Sequence, residues 1–341
     1  MIIRRAAHAR MGLLGNPSDG FGGKTITVQI QDFAATMRLW ESPRLEIKPH
    51  PVHDPSTFDS LEELHRTANE DGYYGGTRLL YATCKRFYEH CTDNGIPLRD
   101  ANFTIDYDTD IPRQVGLGGS SAIVVAALEC LMEFHGIGEE QIPLPLQPQL
   151  ALAVELDELG IRAGLQDRVA QVYGGLVYMD FDEGHMREYG HGHYERLNVD
   201  LLPDLYLAYI PYSTTTSGKA HNPIHFRYEN GDAQVIAAMR QFAEFAELGR
   251  GALEGGEIDA LGELMDRNFD LRRELYGDEV IGAQNLEMVE LARGFGLPAK
   301  FTGSGGAITG VLFEGADVAT LRDAFEERGY RFLVATPAGD D

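Results

Sequence analysis

Between Ile111 and Leu131 the chain reads IPRQVGLGGSSAIVVAALECL, a glycine- and serine-rich loop that feeds directly into an apolar segment. A loop of this composition at a helix start suits phosphate, because backbone N–H groups and the helix N-terminus present positive partial charge to an anion. The signature G-x-x-x-x-G-K-[ST] is absent, and no lysine occurs between Lys85 and Lys219. A phosphate bound here would have to be held by backbone N–H groups, hydroxyls or a metal ion. Two further glycine-rich loops lie on either side in sequence, GLLGNPSDGFGGKT from Gly12 to Thr25 and KFTGSGGA from Lys300 to Ala307. An isolated glycine pair usually marks a tight turn that needs positive φ. Three such loops, each bordered by hydroxyl residues, are harder to explain as turns alone.

Two acids between the second and third loops are candidates for proton transfer or metal binding. Glu155 sits late in PLPLQPQLALAVELDELG, and Asp167 opens QDRVAQVYGG, with a GIRAG bend between them. A chain reversal at that bend would bring both to one site. Glu155 has an equally simple reading as part of a solvated helix face with Asp157 and Glu158. Asp167 has one as an N-terminal helix acid stabilised by the helix dipole, a role compatible with accepting a proton.

These residues must be positioned by elements that the hydrophobic pattern outlines. KTITVQI and FAATMRLW read as two strands separated by the polar pair Gln31–Asp32, and NFTIDYDTDI as a half-exposed strand. TRLLYATCKRFYEHC has apolar positions at helical spacing. SAIVVAALECLMEF is apolar nearly all round and predicts a buried helix. AGLQDRVAQVYGG predicts a short helix closed by Gly174 and Gly175, followed by the strand LVYMDF. The polar stretch from Asp182 to Asp204 suggests a boundary, giving domains 1–190 and 191–341. The second part predicts a strand LYLAYI, long helices from Ala233 to Arg293, a strand, the TGSGG turn, AITGVLF, the helix VATLRDAFEER and the strand YRFLVAT. That mixture predicts an α+β protein of two lobes and not a regular βαβ array.

The chain has 341 residues and a formal charge of −24, which argues against nucleic acid or an anionic membrane as partner. Any anionic substrate must find a locally positive pocket against that field. No apolar run reaches the ~18 residues of a membrane span, and the start MIIRRAAHARMGLLGNPSDG is a poor signal peptide because Arg10 interrupts it. Cys84, Cys91 and Cys130 have no metal or redox spacing and read as buried thiols of a reducing, cytoplasmic compartment. The eleven histidines show no metal spacing and are assigned no role.

The loops together resemble the kinases of galactose, homoserine, mevalonate and phosphomevalonate type, the GHMP kinases. Arg10 and LLGNPSD resemble the first motif of that family. Pro112 to Ala122 matches its P-x-x-x-G-L-G-x-S-S-A pattern, and KFTGSGGA is similar to its third motif. Over nearly the whole chain, LLGNPSDGFGGKT, EDGYYGGTRLL, GIRAGLQDRVAQVYGGLVYMDF and MDRNFDLRR resemble the plant-type glucuronokinases. The resemblance implies ATP-dependent phosphorylation of D-glucuronate at its anomeric hydroxyl. It also implies a two-lobed GHMP kinase fold, with a ribosomal-protein-like N-terminal α/β lobe and a ferredoxin-like C-terminal lobe.

By the same resemblance, ATP would be held by Pro112, Gly116, Leu117, Gly118, Gly119, Ser120, Ser121 and Ala122, with Gly303, Ser304 and Gly305 of the third loop. Ser120 and Glu155 match the Mg²⁺ ligands, Asp167 the proposed catalytic base, and Arg10 the basic residue near the transferred phosphoryl group. Substrate candidates are Asn16 and Asp19, the latter for sugar hydroxyls unless it serves as a turn aspartate. Arg168, Lys24 and Lys219 are candidates for the uronate carboxylate, each of which could equally be a solvated surface cation. The alternatives are a relative acting on galacturonate, fucose or a heptose phosphate, and a silent sugar-binding regulator on the same fold.

Overall fold

The computed structural model describes residues 2–70, 75–211 and 222–339. They form two compact units, neither contiguous in sequence. The first comprises Met1–Ala9, Phe33–Ile111 and Gly118–Val172; the second comprises Arg10–Asp32, Pro112–Leu117 and Tyr173–Asp341. The expected division at 190/191 does not coincide with this one. The polar stretch after Phe181 is not a linker: it holds the helix Glu183–Tyr189 and the strand His193–Leu197, which pairs antiparallel with Leu176–Asp180. Its polar residues serve as caps, Asp182 accepting from His185 N and Asn198 from Asp200 N.

In the first unit, residues 35–41 pair antiparallel with the strand Phe103–Thr109, which also pairs parallel with Glu46–Ile47. Against these strands the sequence packs helices. The longest buried one is Gly119–His135, whose Ala122 to Leu128 are all withdrawn from solvent as its all-round apolarity requires. Beside it runs Gly76–Asp93, burying Leu79, Leu80, Thr83 and Phe87 at helical spacing. The proline-rich segment enters as the 3₁₀ turn Leu144–Leu146 and the helix Gln147–Ala153, and widens to a π turn over Val154–Glu158. The helix Leu165–Tyr173 follows and ends at Gly174 and Gly175, both with positive φ. Burial pushes the Cys84 and Cys130 thiols up to about 12, so neither is a ready nucleophile.

In the second unit, residues 24–28 pair antiparallel with Leu176–Asp180. A separate antiparallel sheet has the order Arg331–Ala335, Leu205–Tyr209, Ala307–Val311, Lys300–Phe301. The helices Ala233–Gly255 and Ile258–Tyr276 pack on one another, and the latter packs on the strands that flank the third glycine loop.

The two strands expected around Gln31–Asp32 are one continuous strand, Lys24–Glu41. The polar pair does not break it because its polar groups are used: Gln31 N donates to Thr336 O at 2.8 Å, and Asp32 accepts from Thr336 N at 2.8 Å. The N-terminal segment is the strand Ile2–Leu14. No helix among the described residues is long and apolar enough to cross a membrane.

Glu129 gives the buried helix a pH dependence. Burial pushes its carboxyl from the ordinary 4.5 up to about 7, with Arg5 pulling weakly the other way. The folded chain keeps this proton while the unfolded chain releases it, so stability falls as pH rises from about 4.5 to about 7 and is level above that. Glu129→Gln should therefore stabilise the protein by about 1–3 kcal/mol at pH 8 and hardly at all at pH 4. Urea midpoints of parent and variant at the two pH values measure this, and a gap that does not change with pH would exclude it.

Candidate active site

The second glycine loop is shaped by its positive φ angles. Gly116 and Gly118 lie at φ 71° and 78°, and Gln114 at φ 58°. Gly118 stands immediately before the helix Gly119–His135, whose start has no side-chain cap and no acid in its first turn. Ser121 is buried and donates to Gly118 O at 2.9 Å, while Gln171 Nε2 donates to the same oxygen at 2.7 Å. These bonds fix the helix entrance from inside. Ser120, in contrast, is exposed in the first turn. A bare helix N-terminus with an exposed hydroxyl beside it is an arrangement that receives an anion.

In the same unit Glu155 turns inward at the π turn and is 1% exposed. It is not part of the acidic outer face, which belongs to Asp157 and Glu158 with Arg86 and Lys85 as their partners. Glu155 accepts from Arg168 Nη2, and Arg168 Nη1 donates to Gly164 O at 2.9 Å and lies 3.7 Å from Asp167 Oδ2. The chain reversal at GIRAG thus joins both acids to one guanidinium. Asp167 remains partly open to solvent, its side chain 24% exposed. As hard oxygen donors, Ser120 and Glu155 suit Mg²⁺; a cation at Glu155 would share it with Arg168.

In the second unit Arg10, 4% exposed, donates from Nη1 to Gly116 O at 2.6 Å and to Thr302 O at 3.0 Å. Thr302 Oγ1 donates to Gly116 O at 3.0 Å, and Gly12 N to Thr302 O at 2.8 Å. The approach is so close that only glycine fits: a Cβ on Gly303 would lie 2.5 Å from Gly116 O, and one on Gly306 2.8 Å from Val115 Cα. First loop, second loop and third loop are therefore fastened through Arg10.

Three residues within quoted runs, but given no role from the sequence, complete this arrangement. Lys300, 1% exposed, donates to Gly12 O, Asn16 Oδ1 and Phe301 O at 2.7, 2.8 and 2.6 Å. Three acceptors match the three N–H bonds of an ammonium, although burial, and then the charges of Arg272 and Arg10, push its pKa well down. Asn268 accepts from Gly15 N and donates to Asn16 O. Arg272, one helical turn on, donates to Gly303 O at 2.8 Å. The signal for these two was their i,i+4 spacing in MDRNFDLRR.

The remaining sequence candidates divide. Asn16 is 5% exposed and spends its side-chain oxygen on Lys300. Asp19 opens the 3₁₀ turn Ser18–Phe21 and is half-buried. Lys24 bonds Glu247 at 3.2 Å and lies 3.7 Å from Asp180. Burial is the largest influence on Lys24 and lowers its pKa, but Glu247, Tyr178 and Asp180 together outweigh it, and the net shift is upward. Lys219 lies outside the described residues. Among the histidines, His50 and His53 come together with Asp108. His50 Nδ1 accepts from Val52 N and His53 N, which places its proton on Nε2, 3.1 Å from Asp108. That nitrogen donates and offers no lone pair to a metal.

Residues 78–175 match the family model described as the GHMP kinases N terminal domain. The chain is 50% identical over 331 residues to probable glucuronokinase 2 of Arabidopsis thaliana, covering 96% of this chain and 90% of that protein. It is 48% identical over 329 residues to glucuronokinase 1 of the same plant, with the same coverage. Among solved structures, galactokinase of Lactococcus lactis complexed with galactose superposes with a TM-score of 0.75 over 99% of this chain and 94% of that one, at 17% identity. The last likeness shows the fold: α+β and two-lobed.

The buried pair at the helix junction yields a stability test. Arg168→Met should cost about 3–5 kcal/mol, because it strands the Glu155 carboxylate in the interior. Combining it with Glu155→Leu should recover most of the loss. Equal urea midpoints for the single and double variants would show that the pair is not what the junction rests on.

Proposed function

The chain belongs to the GHMP kinases, in the family of the glucuronokinases, and from that membership we propose that it transfers the γ-phosphoryl group of ATP to the anomeric hydroxyl of D-glucuronate, giving glucuronate 1-phosphate and ADP. That it is a kinase with ATP as co-substrate follows from the family. The sugar rests on the relatives' names, and the observation that best supports the chemistry is the fastening of the three glycine loops through buried Arg10.

Phosphoryl transfer asks a protein for positioning and charge neutralisation more than for covalent help. The N–H groups of Gly118, Gly119 and Ser120 would bind the β-phosphate at the uncapped helix start. Pro112, Gly116 and Leu117 would shape the loop, and Ser121 and Ala122 would anchor its helical end. Gly303, Ser304 and Gly305 would complete the nucleotide's surroundings. Ser120 and Glu155 would hold Mg²⁺, which supplies charge neutralisation on the phosphate oxygens. Arg10 would meet the negative charge that develops on the transferred group. Asp167 would accept or orient the proton of the anomeric hydroxyl, which is more acidic than a simple alcohol. Asp19 would accept hydrogen bonds from sugar hydroxyls.

ADP release measured on a panel of uronic acids and neutral sugars tests the proposal, with the phosphorylated carbon assigned by NMR. Glucose presents the same anomeric hydroxyl without the carboxylate and should be poorer by about 10⁴–10⁵-fold in kcat/KM; parity between the two sugars would remove glucuronate as the substrate. Asp167→Asn should lower kcat by about 10²–10⁴-fold with the KM for ATP little changed. A folded variant with parental turnover would take Asp167 out of the mechanism.

A further inference from the structure

A uronate needs a cation for its carboxylate, and of the three cations expected from the sequence the two that lie among the described residues are engaged elsewhere. Arg168 is held by Glu155, and Lys24 by Glu247 and Asp180. Arg272 is built differently. It is 3% exposed, with its guanidinium 5.0 Å from the Phe301 ring centre and 5.4 Å from that of Tyr276. Both terminal nitrogens face carbonyl oxygens, Gly303 O at 2.8 Å and Ser304 O at 3.4 Å, and among the described residues it makes no ion pair. Its Nε and the Tyr276 hydroxyl, four residues apart on one helix, are buried and have no hydrogen-bond partner among the described residues. Folded proteins leave few buried donors unpaired, and an unpaired one calls for a partner such as a water, an ion or a ligand.

Asp19, the candidate for sugar hydroxyls, lies within electrostatic range of both groups. Its charge helps hold Arg272 protonated against burial, which lowers that pKa, and adds to burial in raising the pKa of Tyr276. Arg272 and Arg10 also lie near enough to Lys300 to help burial push its pKa down. Arg272 and Arg10 thus bring two buried guanidinium groups to the first and third loops, inside a chain of formal charge −24.

We propose that Arg272 Nε–H and the Tyr276 hydroxyl bind the carboxylate of the acceptor sugar and set the preference for a uronate over a neutral hexose. This inference rests on the glucuronate reading above. Arginine suits the role because its N–H groups are fixed in the plane that a carboxylate matches.

The parent is assayed first on D-glucuronate and glucose with ATP, followed by Tyr276→Phe, Arg272→Gln and Arg272→Lys. Tyr276→Phe should raise the KM for glucuronate about tenfold, the worth of one hydrogen bond to a charged group. Its KM for ATP should stay within about twofold, and its melting temperature without sugar should be unchanged or higher, because an unpaired buried hydroxyl is lost. Arg272→Gln also loses the bond to Gly303 O, so turnover of both sugars should fall, but kcat/KM for glucuronate should fall about 10²-fold further than that for glucose, and Arg272→Lys should recover part of the difference. Absence of glucuronate turnover in the parent refutes the glucuronate reading and this inference with it. Turnover in the parent, with an unchanged glucuronate KM in Tyr276→Phe or equal losses on both sugars in Arg272→Gln, refutes the inference alone.

Discussion

The buried guanidinium of Arg10 is the constraint around which the second unit is arranged. It reaches the carbonyls of Gly116 and Thr302 at once, and both loops must then come close enough for their backbones to touch. From that approach follows the glycine at 303, which has no room for a Cβ. From it also follows the threonine at 302, whose hydroxyl joins Arg10 on the same Gly116 oxygen. Charge-assisted bonds to buried carbonyls are strong because no water competes with them. Breaking one would leave a cation in the interior with its solvation unreplaced.

A second consequence is electrostatic. Arg272 adds a second buried guanidinium beside Arg10, and Lys300, whose pKa both push down, lies with them; each donates to backbone carbonyl oxygens. Carbonyl partners satisfy N–H donors without cancelling their charge. A protein with 53 acidic and 29 basic side chains thereby keeps two buried guanidinium groups where the loops converge. The acidic surface favours solubility.

How much of this was legible in the sequence depended on whether a feature was local. The apolar helix Gly119–His135, the glycine closure after Tyr173 and the helical spacing in Gly76–Asp93 are consequences of neighbouring residues and could be read directly. The continuity of Lys24–Glu41 could not, because Gln31 and Asp32 are satisfied by Thr336, about 300 positions away in the chain. Glu155 was ambiguous for a related reason. Its neighbours Asp157 and Glu158 do form a solvated face, and only the widened turn directs Glu155 inward to Arg168. Asn268, Arg272 and Lys300 lay inside recognisable runs, yet their roles are defined by carbonyls of distant loops. The non-linear division into units was hidden too, since it depends on which strands pair.

The entrance to the helix Gly119–His135 is finished by bonds to carbonyls behind it, while its leading N–H groups have neither a capping side chain nor an acid in front of them. Most helices acquire such a cap cheaply, for about 1 kcal/mol of added stability from a single serine or aspartate. Here that gain is forgone. An acidic residue in the first turn would strengthen the empty protein and at the same time occupy, and repel anions from, the place proposed for the phosphate. On the proposed function, the helix start is thus a position where robustness and turnover favour different residues, and the glycines at 118 and 119 suit turnover.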